Sequence, residues 1–539
     1  MQVTQKNLLL SVLGALLLWA AWPISPFTFL LFIAWVPLLT ITDSCSSIKK
    51  YFGLTYLHMI LWNVLTTWWV SNASLEGALS AFFANSLIMC IPWLLYYLTK
   101  KWINGALGTL SIIPYWLAFE YIHHNWDLSW PWLTLGNAFA THPQWIQWYE
   151  YTGTSGGSLW VLISNVLVYH IIKLYQSEGR TTKYFKYAII WIALLFIPIL
   201  FSFFIKNKLT LQHNKYNVVV VQPNIDPYQK FDISTQHDQL KKLITLSEKA
   251  IDHNTALIVW PETAIPFQTD ERKIRESAFL EPLWEFLKKY PSINLLTGLE
   301  GVQTFNTKVS RYTRATFDNQ IYYEMYNSAV LLNSQNIQIY HKSKLVPGVE
   351  VLPSFLSFMA PLFEKFGGTA GGYARDSATH VFSTLHHLFQ ITPAICYESI
   401  YGDYLAEFNR KNANLICVIT NDGWWGDTPG YKQHMNYARL RAIESRKWIA
   451  RSANTGISCF IDPFGNIIQQ LNWDTEGTLK QTVAAYTTET FYTKYGDILS
   501  QIASFAAAAL LLYTIIWKFK KGTKNNMAAK YRFNNRNLA

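Results

Sequence analysis

Three short apolar runs end on side chains of unlike chemistry. In Val259-Trp260-Pro261-Glu262 a carboxylate follows directly on a run and a proline. Held by a rigid turn, such a carboxylate suits general-base work, although a strand-end Glu can equally cap the next segment. In Tyr340-His341-Lys342-Ser343-Lys344-Leu345-Val346-Pro347, followed by Glu350, two lysines lie in a polar turn between apolar residues. Lysines in turns are usually solvated, but one facing a pocket would stabilise an oxyanion. In Thr392-Pro393-Ala394-Ile395-Cys396-Tyr397-Glu398 the polar residues after Cys396 imply that the chain turns there and presents the sulfur at a strand mouth. A cysteine in this position is most often a small core residue. Of the five cysteines, Cys417 and Cys459 lie inside apolar runs, while Cys45 and Cys90 lie in the N-terminal apolar region without acid–base company. Cys396 is therefore the candidate nucleophile, and a base, a cation and a thiol together suit covalent acyl chemistry.

The elements that must position these groups have α/β texture. Runs at 217–222, 256–259, 294–298, 327–332, 389–395, 415–420 and 457–461 are rich in Val, Ile and Leu and read as strands. Residues 234–251, 274–290 and 433–448 read as helices between them. In such sheets function concentrates where strands end and loops begin.

Around this region the composition is that of a membrane protein. The 539 residues are 50% hydrophobic but only 15% charged, well below the soluble norm, and 16% are aromatic, with 23 Trp. Seven apolar stretches precede the α/β region, at 8–24, 27–41, 52–70, 78–98, 105–123, 157–174 and 187–205, and an eighth follows at 497–517. The second and third are short or interrupted by polar residues. Lysines and arginines occupy every second connection, which orients the chain with the α/β region outside and the tail from Lys518 to Arg536 in the cytoplasm. The net charge of +11 is thereby a topology signal, and no nucleic-acid partner is expected. The first stretch reads as a retained anchor, because Trp19, Trp22 and Pro23 spoil a cleavage site. The outward segment 124–156 is crowded with rings, Trp132 among them, which suits either an aromatic belt at the head-group layer or a wall holding a lipid. The divisions expected are a bundle of about seven spans at 1–209, a catalytic domain at 216–484, a last span at 496–518 and a basic tail at 519–539.

Glu262, Lys342 and Cys396, in this order and context, resemble the Glu–Lys–Cys triad of the carbon–nitrogen hydrolase (nitrilase) superfamily. Ile419-Thr420-Asn421-Asp422-Gly423-Trp424-Trp425-Gly426, Arg439-Leu440-Arg441-Ala442-Ile443-Glu444 and Arg451-Ser452-Ala453-Asn454-Thr455-Gly456 strengthen the match. With spans on both sides, nearly the whole chain is similar to the apolipoprotein N-acyltransferases. Gln222-Pro223-Asn224-Ile225, Trp260-Pro261-Glu262-Thr263-Ala264-Ile265-Pro266 and Leu345-Val346-Pro347 favour that branch over generic amidases.

The resemblance implies a multi-span α-helical bundle of about eight spans carrying a periplasmic αββα sandwich in a bacterial inner membrane. It implies transfer of an acyl chain from a phospholipid donor to the α-amino group of a diacylglyceryl-cysteine lipoprotein acceptor, the last step of lipoprotein maturation. Glu262 matches the general base, Lys342 the oxyanion-stabilising cation and Cys396 the nucleophile that carries a thioester in a ping-pong reaction. Glu350 and Glu398 match supporting acidic residues, and Phe231, Tyr397, Trp424, Trp425 and Trp132 are candidates for substrate contact. The family often has Trp where this chain has Phe231, and Pro347-Gly348-Val349-Glu350 displaces its usual Gly beside the Glu. No metal or other cofactor is required. The apolar stretch 351–363 with Gly367, Gly368, Gly371 and Gly372 could form a hinged lid or an ordinary surface excursion. A membrane-anchored amidase or nitrilase using the same triad is the alternative, disfavoured because one span would suffice as an anchor.

Overall fold

The computed structural model describes residues 3–103, 105–208, 215–316, 320–352, 372–376 and 378–536, with side chains omitted at 208 and beyond 521. Nearly all of the lid candidate lies outside the described residues.

The described residues of the α/β region contain fourteen strands: β1 Lys215–Gln222, β2 Thr255–Val259, β3 Ile265–Asp270, β4 Asn294–Phe305, β5 Arg314–Ala315, β6 Tyr322–Leu332, β7 Ile337–His341, β8 Phe382–Ser383, β9 Gln390–Ile395, β10 Leu415–Thr420, β11 Trp448–Ala453, β12 Cys459–Ile461, β13 Ile467–Gln470 and β14 Gly477–Ala484. They form two sheets. The first runs β14-β1-β2-β4-β6-β5, with β3 on β4 and β7 on β6; the second runs β13-β12-β11-β10-β9-β8. Alternate residues of each strand face opposite ways, which dictates the layers. Val218, Val220, Leu257, Val259 and Leu296 meet Ile391, Ile395, Leu415, Cys417 and Ile419 in a core between the sheets. Val219, Val221, Ile258 and Leu295 face the helices Gln236–Ala250 and Glu281–Lys289 instead. On the far side, Ile416, Val418 and Ile449 pack against the helices Gly402–Arg410 and Pro429–Ser445. The result is an αββα sandwich.

Two helical expectations need correction. The helix expected at 433–448 ends at Ser445, because Arg446 adopts a left-handed conformation (φ 52°), and Trp448 already opens β11. Over 274–290 the chain forms short 3-10 turns, and a regular helix begins only at Glu281, with Pro282 in its first turn.

Among the described residues, five helices are long and apolar enough to cross a membrane: Val3–Ala20, Leu75–Trp102, Tyr149–Glu178, Thr182–Lys208 and Ile498–Arg536. The second expected span is broken into the 3-10 turn Thr28–Phe32 and the helix Val36–Ser44, whose nine residues reach only about 14 Å. The third is the helix Ile48–Thr67, which opens on Lys49 and Lys50, and the fifth divides into Ala106–Leu110 and Ile112–His124.

The aromatic segment after His124 is not a belt at Trp132. It folds into 3-10 turns between bundle and sandwich, with Trp132, Leu135, Phe139 and Ile146 buried. Trp132 Nε1 donates to Gln433 Oε1 (2.7 Å), and Tyr437 OH donates to the Trp132 carbonyl (3.0 Å). Arg446 closes the same interface, donating to the Gln147 carbonyl (2.7 Å) and to Glu150 Oε2 (2.7 Å).

Candidate active site

Strand geometry brings the three sequence-distant groups together. Glu262 follows β2, Lys342 follows β7 and Cys396 follows β9, so each leaves its sheet where side chains are no longer committed to the core. Both Thr263 (φ 46°) and Cys396 (φ 49°) adopt left-handed backbone conformations, unfavourable for residues with a Cβ, and mark sharp turns at Glu262 and at the thiol. The Glu262 turn lies directly on β4 at Gly298. A Cβ there would stand 2.2 Å from Thr263 N and 2.6 Å from Glu262 Cα, so only glycine permits this approach.

Lys342 is buried between two carboxylates. Its Nζ donates to Glu262 Oε1 (3.2 Å) and to Glu350 Oε1 (2.8 Å). Burial alone would lower its pKa, but the Glu262 and Glu350 charges outweigh it and hold the ammonium well above its usual range. Asn327, from β6, donates through the same Nδ2 to both acids, at 2.8 Å to Glu262 and 3.1 Å to Glu350. The second oxygen of Glu262 accepts from the Asn421 backbone N–H (3.2 Å), and that of Glu350 from Val346 N–H (2.8 Å). Lys230 supports the Glu262 turn from behind, donating to the Glu262 carbonyl and to Thr263 Oγ1, both at 2.7 Å. Burial brings its pKa down to about 7 against the opposing pull of Glu262 and Glu300.

Cys396 shares this electrostatic field. Burial first, then the Glu262 charge, pushes its thiol pKa up, while Lys342 acts in the opposite direction. The thiol is therefore protonated at rest, and only a neighbouring base could make it a nucleophile. Two networks fix its turn. Glu398 does not reach Lys342 but ties the Lys342 and Cys396 loops together. Its Oε1 accepts from Ser343 N–H (2.7 Å), Lys344 N–H (3.3 Å) and the Tyr340 hydroxyl, and its Oε2 from Ile395 N–H (2.8 Å). Beneath the Cys396 carbonyl lie Ser399 Oγ (2.7 Å) and His434 Nε2 (3.2 Å), and His434 Nδ1 meets Asp422 Oδ1 at 2.9 Å. Arg451 Nη2 donates to the other Asp422 oxygen (2.8 Å). Burial would raise the Asp422 pKa, but Arg451 and His434 bring it down to about 2, so the buried acid stays ionised.

The substrate-contact candidates divide. Tyr397 is buried, its hydroxyl donating to the Ser129 carbonyl (2.9 Å) beside Trp130. Trp425 packs on Trp69 and Trp132, all within 6 Å, so Trp132 and Trp425 belong to the plug between bundle and sandwich. Trp424 instead meets the exposed Tyr228 ring (5.4 Å), and Phe231 is 43% exposed on the same outer turn. Asn327, Lys230 and the Asp422–His434–Arg451 network carried no role in the sequence reading. Their one signal was polar residues interrupting apolar strands or standing within the quoted motifs.

Next to the site is an apolar cavity of about 370 Å³. One wall is the first half of the Leu75–Trp102 helix with its cap Ser74, as far as Ile88, another is Leu128, Ser129 and Trp130, and the third is Val346, Pro347, Gly348, Val349 and Leu352. It therefore runs from a membrane-length helix to the loop whose Val346 N–H holds Glu350.

Residues 217–492 match the family described as carbon–nitrogen hydrolase, and residues 14–167 match the apolipoprotein N-acyltransferase N-terminal domain. The chain is 29% identical over 532 residues to the apolipoprotein N-acyltransferase of Chlorobaculum tepidum, covering 96% of this chain and 98% of that one. It is 26% identical to the Geobacter metallireducens enzyme of the same name, covering 95% and 96%, and 27% identical to apolipoprotein N-acyltransferase 1 of Treponema denticola, covering 96% and 97%. With a match to the hydrolase family over half its length, and relatives of one name along nearly all of it, the chain belongs to the apolipoprotein N-acyltransferases of the carbon–nitrogen hydrolase superfamily.

Proposed function

We propose that this protein moves a fatty acyl chain from a membrane phospholipid to the α-amino group of an N-terminal diacylglyceryl-cysteine, through a thioester on Cys396. The observation that carries the reading is a buried Glu262–Lys342–Glu350 cluster at the Cys396 turn, with Glu350 held by the N–H of Val346, itself in the wall of an apolar cavity along a membrane-length helix.

A phospholipid ester is an unactivated donor, so splitting the transfer into two steps lowers each barrier. Glu262 takes the thiol proton as the Cys396 sulfur attacks the ester carbonyl. The oxyanion that develops is stabilised by the Lys342 ammonium, which its two acids keep charged. Collapse breaks the ester C–O bond, and the lysophospholipid oxygen leaves with the proton from Glu262. In the second step the acceptor amine attacks the thioester, Glu262 accepts the amine proton, and the amide forms as the thiolate departs and is reprotonated. Water would divert the thioester to hydrolysis, and the aromatic plug around Trp132 and Trp425 and the apolar cavity walls favour transfer over that loss.

In this reading the eight apolar segments are spans, the second crossing as the broken run Thr28–Ser44, the sandwich faces the periplasm and the basic tail is cytoplasmic, as the alternation of Lys and Arg between connections suggests. The test is to supply the protein in detergent with a phospholipid and either a diacylglyceryl-cysteine peptide or small amides. Acylated peptide from wild type and none from Cys396→Ala is the expected result. Amide hydrolysis without peptide acylation would replace the transferase with the anchored amidase.

A further inference from the structure

A second cavity, of about 1010 Å³, lies at the other end of the bundle. The Leu75–Trp102 helix separates the two. Its N-terminal half lines the apolar cavity beside the sandwich, whereas Lys100 and Lys101 line the second one, about 38 Å along the helix from Leu75. The cavity is thus remote from Cys396 and unused by the chemistry above.

Its walls are of two kinds. Leu110, Ile113, Leu167 and Ile190 supply an apolar side, and Lys100, Lys101, Lys173, His170 and Asp43 a charged one. Lys101 is exposed, but Lys100 and Lys173 are held by a shared partner, unlike residues that merely mark topology. Lys100 Nζ and Lys173 Nζ both converge on Asp43, at 2.7 Å and 2.6 Å, and Lys100 also donates to Tyr169 OH (2.7 Å). Lys101 stands over the Tyr97 ring at 5.4 Å. The lining thus holds three lysines and one carboxylate, two of the lysines on that carboxylate and Lys101 unpaired with it, which leaves an excess of two positive charges beside apolar walls.

We propose that this cavity binds an anionic phospholipid, its phosphate on the lysine cluster and its first acyl carbons along Leu110, Ile113 and Ile190. A phosphodiester carrying net negative charge complements the excess, and Asp43, already shared by two lysines, sets the ammonium positions without cancelling them. A free phosphate offers the same charge but leaves the apolar walls unfilled, and a zwitterionic lipid fills the walls but brings its own cation to the lysines. The cavity is therefore a binding site additional to the donor site.

The test is native mass spectrometry of the full chain in neutral detergent, titrated with phosphatidylglycerol or with phosphatidylcholine of the same acyl chains. Phosphatidylglycerol should bind saturably and more tightly. Lys173→Gln should weaken it about fivefold, and Lys101→Gln with Lys173→Gln about 25-fold, at roughly 1 kcal/mol per lysine. Lys183→Gln, an exposed lysine of the neighbouring helix paired with Glu178 (3.6 Å), should leave binding unchanged. Cys396→Ala should bind as wild type does, which separates this site from the transfer reaction. Equal affinity for the two lipids, an equal loss in Lys183→Gln, no loss in the Lys101 and Lys173 variants, or full competition by inorganic phosphate would each overturn the proposal.

Discussion

Gly298→Ala tests whether the close approach of β4 to the Glu262 turn positions the base. The added methyl would stand 2.2 Å from Thr263 N and 2.6 Å from Glu262 Cα, both backbone atoms that cannot rotate aside. Relief to an ordinary contact near 3.4 Å requires the turn to move by about 1 Å. Glu262 would then lose its spacing to Lys342 and Asn327, and a misplacement of about 1 Å costs on the order of 100-fold in rate. Overpacking adds about 1–3 kcal/mol of destabilisation, too little by itself to abolish folding in an ordinary domain. The assay is the rate of Cys396 acylation by phospholipid, followed by intact mass, beside a thermal melt. Gly53→Ala is the control, since that helical glycine has open space around it. An acylation rate in Gly298→Ala within twofold of wild type would refute the reasoning.

Three further outcomes follow from the site. Burial would lower the pKa of His341, but Asp376 (3.0 Å) and Glu271 (2.9 Å) outweigh it and raise it to about 9, above an unfolded value near 6.5. Its contribution, about 3 kcal/mol, is therefore fully present below pH 6.5 and lost as pH rises through 9. Urea titrations should show that decline in the wild type and not in His341→Gln. Asp422→Asn leaves the buried Arg451 charge uncompensated and should cost about 3–5 kcal/mol, and a loss under 1 kcal/mol would show that the network does not hold the Cys396 turn. Glu398→Gln presents an amide that cannot accept at both oxygens, so the Lys342 and Cys396 loops lose a shared anchor. Cys396 acylation should fall by more than about tenfold while Cys396 still reacts with a small alkylating agent, and unchanged acylation would show the tie to be dispensable.

What could be read in advance depended on whether the signal was local. Cys396 stood out because three polar residues follow an apolar run, and Glu262 because a proline separates it from one; both marks are strand ends written in consecutive residues. Asn327 lacked such a mark. It lies within β6, and its role comes from antiparallel register, which sets it opposite Glu300 beside the Glu262 turn. Glu398 was recognised as acidic company for Cys396, but that it serves backbone N–H groups of a loop more than fifty residues away depends on sheet packing. The place of Trp132 stayed open between two readings for a related reason. A ring-rich outward loop has the composition of a membrane belt, and only the fit of sandwich onto bundle turns it inward. Edge strands such as β14 were missed because one face is solvated and polar residues interrupt the apolar pattern.

The central claim is that Cys396 carries the acyl group between donor and acceptor. Its most direct test is the intact mass of the protein after incubation with a phospholipid alone, and again after a diacylglyceryl-cysteine peptide is added. The account predicts one acyl adduct, mapped to Cys396 and labile to hydroxylamine, that disappears as the peptide gains the same mass. Peptide acylation by the wild type at full rate with no adduct on Cys396, or acylation that persists in Cys396→Ala, would contradict it.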